Sequence, residues 1–185
     1  MIRNRLAELG SAVTLAIEML RGAKQVEAVA QGVLEVLGQA ACSERAMFWT
    51  VDPEVRNLRA IATWGASPLG SDSRYRTVSL SQSNAGHVWR SRKPLWSSSL
   101  VLDTAAPSAG EAGMRGGAWF AVKTDTSVYG VIELLGRALE LRTPDNLVFI
   151  ERQGVRLGHA LEESRHGTAR LRWGDVGRRG PGQWP

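Results

Sequence analysis

Between Ala118 and Leu135 the chain reads AWFAVKTDTSVYGVIELL, two apolar runs (Ala118–Lys123 and Val128–Leu135) separated by a polar turn. Runs so closely joined read as a strand hairpin, and a lone hairpin is only marginally stable in water, so this one belongs to a larger sheet. Ahead of it comes a short helix carrying Trp89, then Pro94 and Trp96, then a loop with Asp103. A partly helical stretch, Ala105–Arg115, follows and is closed by Gly116-Gly117. Helical turns and a long crossing segment placed just before a hairpin would roof one face of that sheet. Roofed sheets are where small ligands tend to bind.

The remaining strands lie upstream. Arg45–Asp52 (RAMFWTVD) is almost continuously apolar, as expected of a strand covered on both faces. Asp52-Pro53 starts a turn, and Asn57–Trp64 returns with Leu58, Ala60, Ala62 and Trp64 alternating with Arg59, Ile61 and Thr63. Gly65–Ser73 reads as a loop and Tyr75–Leu80 as a third strand. Ser83 is placed to cap a short helix ending at Ser91.

Helices flank the strands. Leu6, Leu9, Val13, Ala16 and Leu20 follow a heptad seam that Ile17 widens. A second helix runs from about Lys24 to Leu37, closed by Gly38. Thr143-Pro144-Asp145 opens the last helix, with Leu147, Ile150, Gly154, Leu157 and Leu161 at heptad spacing. A glycine within that seam weakens it or lets another helix approach closely. Beyond Arg165 the periodicity stops. The division expected is an amphipathic signalling and dimerisation helix over 1–22, a folded domain over 23–165 and a disordered basic tail over 166–185.

A 43% apolar fraction over 185 residues suits one α+β domain. The net charge of +5 exaggerates its basic character: four arginines and one acid after Arg165 hold +3 of it, leaving residues 1–165 at +2. A domain so near neutrality has no footprint for specific nucleic-acid binding. Cys42 is the only cysteine, so an intrachain disulfide cannot form, and its simplest role is a small buried filler. No apolar run reaches the roughly 18 residues of a membrane span, and the first residues do not form a signal-peptide core. A cytoplasmic protein without membrane contact is expected.

The order of elements resembles the GAF domain, and so do particular residues. These are Phe48-Trp49 with Asp52, Gly86-His87-Val88-Trp89, Lys93-Pro94-Leu95-Trp96, Asp103, Gly113-Met114-Arg115 and Gly130-Val131-Ile132-Glu133-Leu134-Leu135. The resemblance covers about residues 24–164 and is to GAF domains of bacterial sensor kinases and cyclic-di-nucleotide enzymes. Asn84-Ala85 stands where a Leu-Pro pair is common, and Ser91-Arg92 replaces a small residue plus glycine. The resemblance implies an α+β fold with an antiparallel sheet of five or six strands. Terminal helices would pack on one face, with short helices and loops over a ligand cavity on the other. It also implies a sensory or regulatory role without catalysis. Its cofactor remains unknown. Covalent bilin attachment in the family needs a cysteine near the roofing helices, and Cys42 precedes the first strand. The cyclic-nucleotide signature Asn-Lys…Phe…Asp-Glu is absent, and a haem or metal role for His87 is disfavoured. GAF enzymes that reduce free methionine sulfoxide use several cysteines, which this chain lacks.

Within that frame the candidate ligand-binding residues are Trp64, Trp89, Trp96, Asp103, Arg115, Trp119 and Glu133. The four tryptophans would line an aromatic wall for a flat or cationic ligand, or else simply fill the core. Asp103 and Arg115 would orient a polar ligand, or Asp103 would cap its loop. Glu133, in an otherwise apolar strand, must be paired: with a ligand donor, with Arg115, with an arginine such as Arg76, or with water at a strand end. The expected partners are an unidentified small molecule, a second copy of the chain and a separate effector kinase or cyclase. Leu6, Leu9, Val13, Leu20, Leu157 and Leu161 would form the homodimer bundle. The alternatives are a structural dimerisation module with no ligand, or the regulatory fragment of a truncated sensor kinase or transcription regulator.

Overall fold

In the computed structural model, which describes residues 2–23, 25–52, 57–65, 77–98, 114–137, 139 and 143–167, the run Arg45–Asp52 is strand β1. Asn57–Gly65 is β2, Thr77–Ser79 β3, Leu95–Ser97 β4, Gly116–Lys123 β5 and Val128–Gly136 β6. They form one sheet in the order β3-β2-β1-β6-β5-β4, every pair antiparallel. The apolar runs thus lie at its centre, where both faces are covered and unbroken hydrophobicity is tolerated. The β5–β6 turn closes with the Thr124 side-chain hydroxyl accepting from the Ser127 N–H at 3.3 Å, while the Thr124 N–H donates to the Ser127 carbonyl at 2.8 Å.

Among the described residues three helices cover one face, α1 (Ile2–Gly22), α2 (Val26–Ala40) and α4 (Pro144–Gly167), and a shorter one, α3 (Asn84–Ser91), lies on the other. Thr143 opens α4 as its position suggests, accepting the Asn146 N–H on its hydroxyl at 3.3 Å. Leu9, Val13, Leu20, Leu34, Leu37, Ile150 and Leu157 pack on Ala46, Phe48, Ala118, Phe120, Val122, Ile132 and Leu134. Burying each larger aliphatic or Phe side chain contributes about 1.5–3 kcal/mol, so this layer supplies most of the folding drive.

The first and last helices are neighbours. Gly10 lies beside Phe149, Arg156 Nη2 donates to Thr14 Oγ1 at 3.0 Å, and Arg21 meets Glu163 at 2.9 Å. Contacts that climb both helices together mean that α1 and α4 run parallel.

Several expectations need correction. The leucine seams line the chain's own core: Leu9, Val13, Leu20, Leu157 and Leu161 are buried in it, with Leu6 half-buried against it. The amphipathic first helix therefore shares the core of the domain. Gly38 does not end α2; it lies inside the helix because any side chain there would collide with the Trp64 ring. The helix stops at Ala40, and Cys42, exposed with φ +52°, makes the turn that leads into β1. Gly154 and Gly158 admit the sheet, not another helix, since a side-chain carbon would collide with the carbonyls of Ala121 and Lys123 respectively. Gly116-Gly117 belongs to β5, and Leu95–Ser97 is a strand where a connecting segment was expected. The Asp52-Pro53 turn beyond Asp52, the loop after Gly65, the start of the third strand at Tyr75, the helical stretch Ala105–Gly113 and the tail from residue 168 lie outside the described residues.

Candidate functional site

Register across the three central strands lays out the face opposite α1, α2 and α4. Arg45 stands across from Leu135, which stands across from Gly117; next come Met47, Glu133 and Trp119; then Trp49, Val131 and Ala121. Glu133 is therefore at the centre of a three-by-three grid whose apolar members form a second buried cluster. Directly opposite side chains on adjacent strands stand about 5 Å apart, and diagonal ones remain within reach of long side chains. This is why an acid on β6 can meet an arginine and a tryptophan of β1 as well as its β5 neighbour.

Glu133 is 3% exposed. Its Oε2 accepts the Trp119 indole N–H at 2.7 Å and the Trp49 indole N–H at 3.2 Å. Its Oε1 lies 3.8 Å from Arg45 Nη2, in an ion pair whose side chains are both nearly sealed from solvent. A buried carboxylate requires such company, because removing a charge from water without compensation costs far more than one hydrogen bond returns. The guanidinium is less well served: Arg45 Nε and Nη1 are buried and have no hydrogen-bond partner among the described residues.

Over this face lies α3, which buries Ala85 and Val88 and half-buries Trp89. Ser83 caps it as its position suggested, its hydroxyl accepting the Gly86 N–H at 2.9 Å. The helix ends at Arg92, which has φ +58°. There the Arg92 carbonyl accepts the Lys123 ammonium at 2.6 Å, and the same ammonium donates to Glu151 of α4 at 2.7 Å. One side chain at the end of β5 thus ties the short helix on one face to a long helix on the other.

Of the sequence-derived candidates, Trp119, Glu133 and Trp89 come together here. Trp64 and Trp96 do not, for identifiable reasons. Between the pairs Phe48–Ala62 and Trp49–Ala60, β2 carries an extra residue, Ile61. Such a bulge moves every later side chain to the opposite face, so Leu58 and Ala60 face α3 while Ala62 and Trp64 pack with the long helices. Trp96 pairs with Ala118, a residue of the helix-covered face, and follows it there. The aromatic wall is split between two sides of the sheet. Arg115 is exposed and contributes its backbone N–H to the Gly136 carbonyl, so the cation beside Glu133 is Arg45 instead. Asp103 and Arg76 lie outside the described residues.

Arg45 and Trp49 were missed. The sign was present in RAMFWTVD: on a strand Arg45, Met47 and Trp49 share a face. An arginine there, like an acid in VYGVIELLG, needs a partner. Among the described residues no group of three or more His, Cys, Asp and Glu side chains could hold a metal ion. On the helix side there is a void of about 10 Å³ lined by apolar residues such as Leu20, Leu34 and Leu157. That is far below the few hundred Å³ of an ordinary ligand pocket.

No family model and no curated protein matches this sequence. Solved structures do match. The GAF domain of a phosphoenolpyruvate-protein phosphotransferase from Coxiella burnetii superposes with a TM-score of 0.68 at 14% identity, over 89% of this chain and 98% of that one. The fold is that of a GAF domain. The GAF domain of a two-component sensor histidine kinase from Bacillus halodurans gives a TM-score of 0.59 at 15% identity, over 78% and 99% of the two chains. The same GAF architecture is similar to the free methionine-R-sulfoxide reductase of Neisseria meningitidis, with a TM-score of 0.70 at 14% identity over 88% and 93%. Among the described residues the GAF sheet has six strands, the larger of the two numbers expected, with the terminal helices on the face expected of them.

Proposed function

We propose that this chain is a sensory or regulatory GAF domain of bacterial signal transduction, which takes a small molecule against the α3-covered face and passes the change to α4. The observation that carries the reading is the buried polar knot of Glu133, Arg45, Trp49 and Trp119, opposite the helix-packed core. An apolar filling would stabilise the sheet at least as well, since a buried ion pair is often no better than a hydrophobic substitute. A polar group retained there is suited to selecting a ligand. Lys123 supplies the connection, because a displacement of α3 changes the Arg92 contact and so bears on Glu151. A ligand moves that equilibrium only by its differential affinity for the two arrangements.

Similar GAF domains in a sensor histidine kinase and a phosphotransferase support a regulatory role. The reductase with this fold supports a different one, but reduction of free methionine sulfoxide through a disulfide needs at least two cysteines, and this chain has Cys42 alone. The test is hydrogen exchange on the full chain, with and without compounds that raise its unfolding temperature. Slowed exchange in α3 and altered exchange in α4, both lost in Lys123→Met, is the expected result. Ligand-induced changes confined to α3 would remove the relay. A structural module without a ligand would show no compound-dependent stabilisation.

A further inference from the structure

The geometry points to a carboxylate as the ligand group this face selects, with Arg45 as its anchor; the inference rests on the sensory reading above and specifies the chemistry of that site. A guanidinium stays charged at any pH a folded protein meets, and it carries five N–H donors arranged to meet planar acceptors in pairs. Arg45 is 4% exposed, so bulk solvent scarcely reaches those donors. Glu133 does not satisfy them either. Its contact with Arg45 is 3.8 Å, beyond hydrogen-bond length, while its Oε2 already holds two indole N–H groups. Among the described residues Nε and Nη1 are left with no acceptor, in a place where nearly every native donor has one. The ion pair holds the guanidinium in position without saturating it.

The surroundings narrow the choice of anion. Glu133 lies on one side of the guanidinium, so a dianion such as phosphate would bring two negative charges close to a buried carboxylate. A monoanion brings one, and a carboxylate matches the planar donor geometry. Directly across the sheet from Arg45 is Leu135, and Met47, Met114 and Trp119 belong to the same buried cluster. The body attached to the carboxylate is accordingly apolar or aromatic.

The experiment is a titration of the full chain followed by unfolding temperature and calorimetry, using matched pairs: benzoate against benzamide, and indole-3-acetate against indole-3-acetamide, with inorganic phosphate alongside. A carboxylate that binds at least about tenfold tighter than its amide, with phosphate weaker still, is the expected outcome. Arg45→Lys keeps the charge and loses the paired donors, so it weakens the carboxylate and leaves the amide unchanged. Arg45→Met combined with Glu133→Gln removes both charges together, avoiding an unpaired buried acid, and should bring carboxylate and amide to equal affinity. Amides binding as well as carboxylates in the unaltered protein would overturn the assignment of Arg45 while leaving a sensory role standing. Carboxylates that bind through Arg45 without altering exchange in α4 would preserve the anchor and remove the relay. Absence of binding by every carboxylate, with the protein folded, would overturn the inference.

Discussion

The same three central strands present two unlike faces. Toward α1, α2 and α4 they offer Ala46, Phe48, Ala118, Phe120, Val122, Ile132 and Leu134, and the helices answer with aliphatic side chains and two glycines in contact with the strand backbone. Toward α3 they offer Arg45, Glu133 and the indole N–H groups of Trp49 and Trp119. The first face is stabilised by area removed from water, a non-directional effect that tolerates conservative exchange. The second depends on a few directional contacts, each of which leaves a charge or donor stranded when its partner is removed. The difference separates where this domain obtains its stability from where it keeps directional polar contacts out of water.

Five single substitutions, one of them extended to a double mutant, would break or sharpen that contrast. The greatest effect is expected on the helix side from Gly158→Leu. Its side chain would enter the backbone of β5 at Lys123, so α4 cannot seat. A loss of more than about 4 kcal/mol, seen as no cooperative urea transition, is expected. A mild effect there would mean that the helix layer is less tightly registered than its contacts imply. Next is Glu133→Ala, which leaves Arg45 buried without its counter-charge and should cost about 3–5 kcal/mol in urea unfolding. Adding Arg45→Met should restore part of that stability, and a double-mutant cycle would measure how much. Simple additivity would show that the polar face is not a coupled unit.

Smaller effects distinguish contacts within the α3 side. Trp119→Phe removes the shorter indole contact to Glu133 and should cost about 1–3 kcal/mol, more than Trp49→Phe, whose contact is longer. Urea midpoints of the two variants check the order. Ser83→Ala removes the cap of α3 and should cost about 1 kcal/mol. Hydrogen exchange should quicken in α3 but remain unchanged in α1, because that helix is anchored in the opposite layer.

Much of the architecture was legible because it follows local rules. β1 begins and ends where its apolar run does, Ser83 caps the short helix, and Thr143-Pro144 opens the last. What was not legible depended on register. One additional residue, Ile61, sends Trp64 to the other side of the sheet, and no composition or period in ATW announces it. Gly38 looked like a helix end because a glycine after an apolar stripe usually is one; the reason for it is a tryptophan 26 positions later in the chain. The site was half legible for the same cause. Glu133 stands out as an acid in an apolar strand, but its partnership with Arg45 and Trp49 depends on β1 lying beside β6.

The parallel course of α1 and α4 bears on how such a domain sits within a longer assembly. Two helices running the same way place the start of one and the finish of the other at opposite ends of the molecule, roughly 35 Å apart at about 1.5 Å per residue. A module fused ahead of Ile2 and another fused behind Gly167 would be strung in line, with the domain as a strut between them, and a twist imposed at one end would have to travel through its length to reach the other.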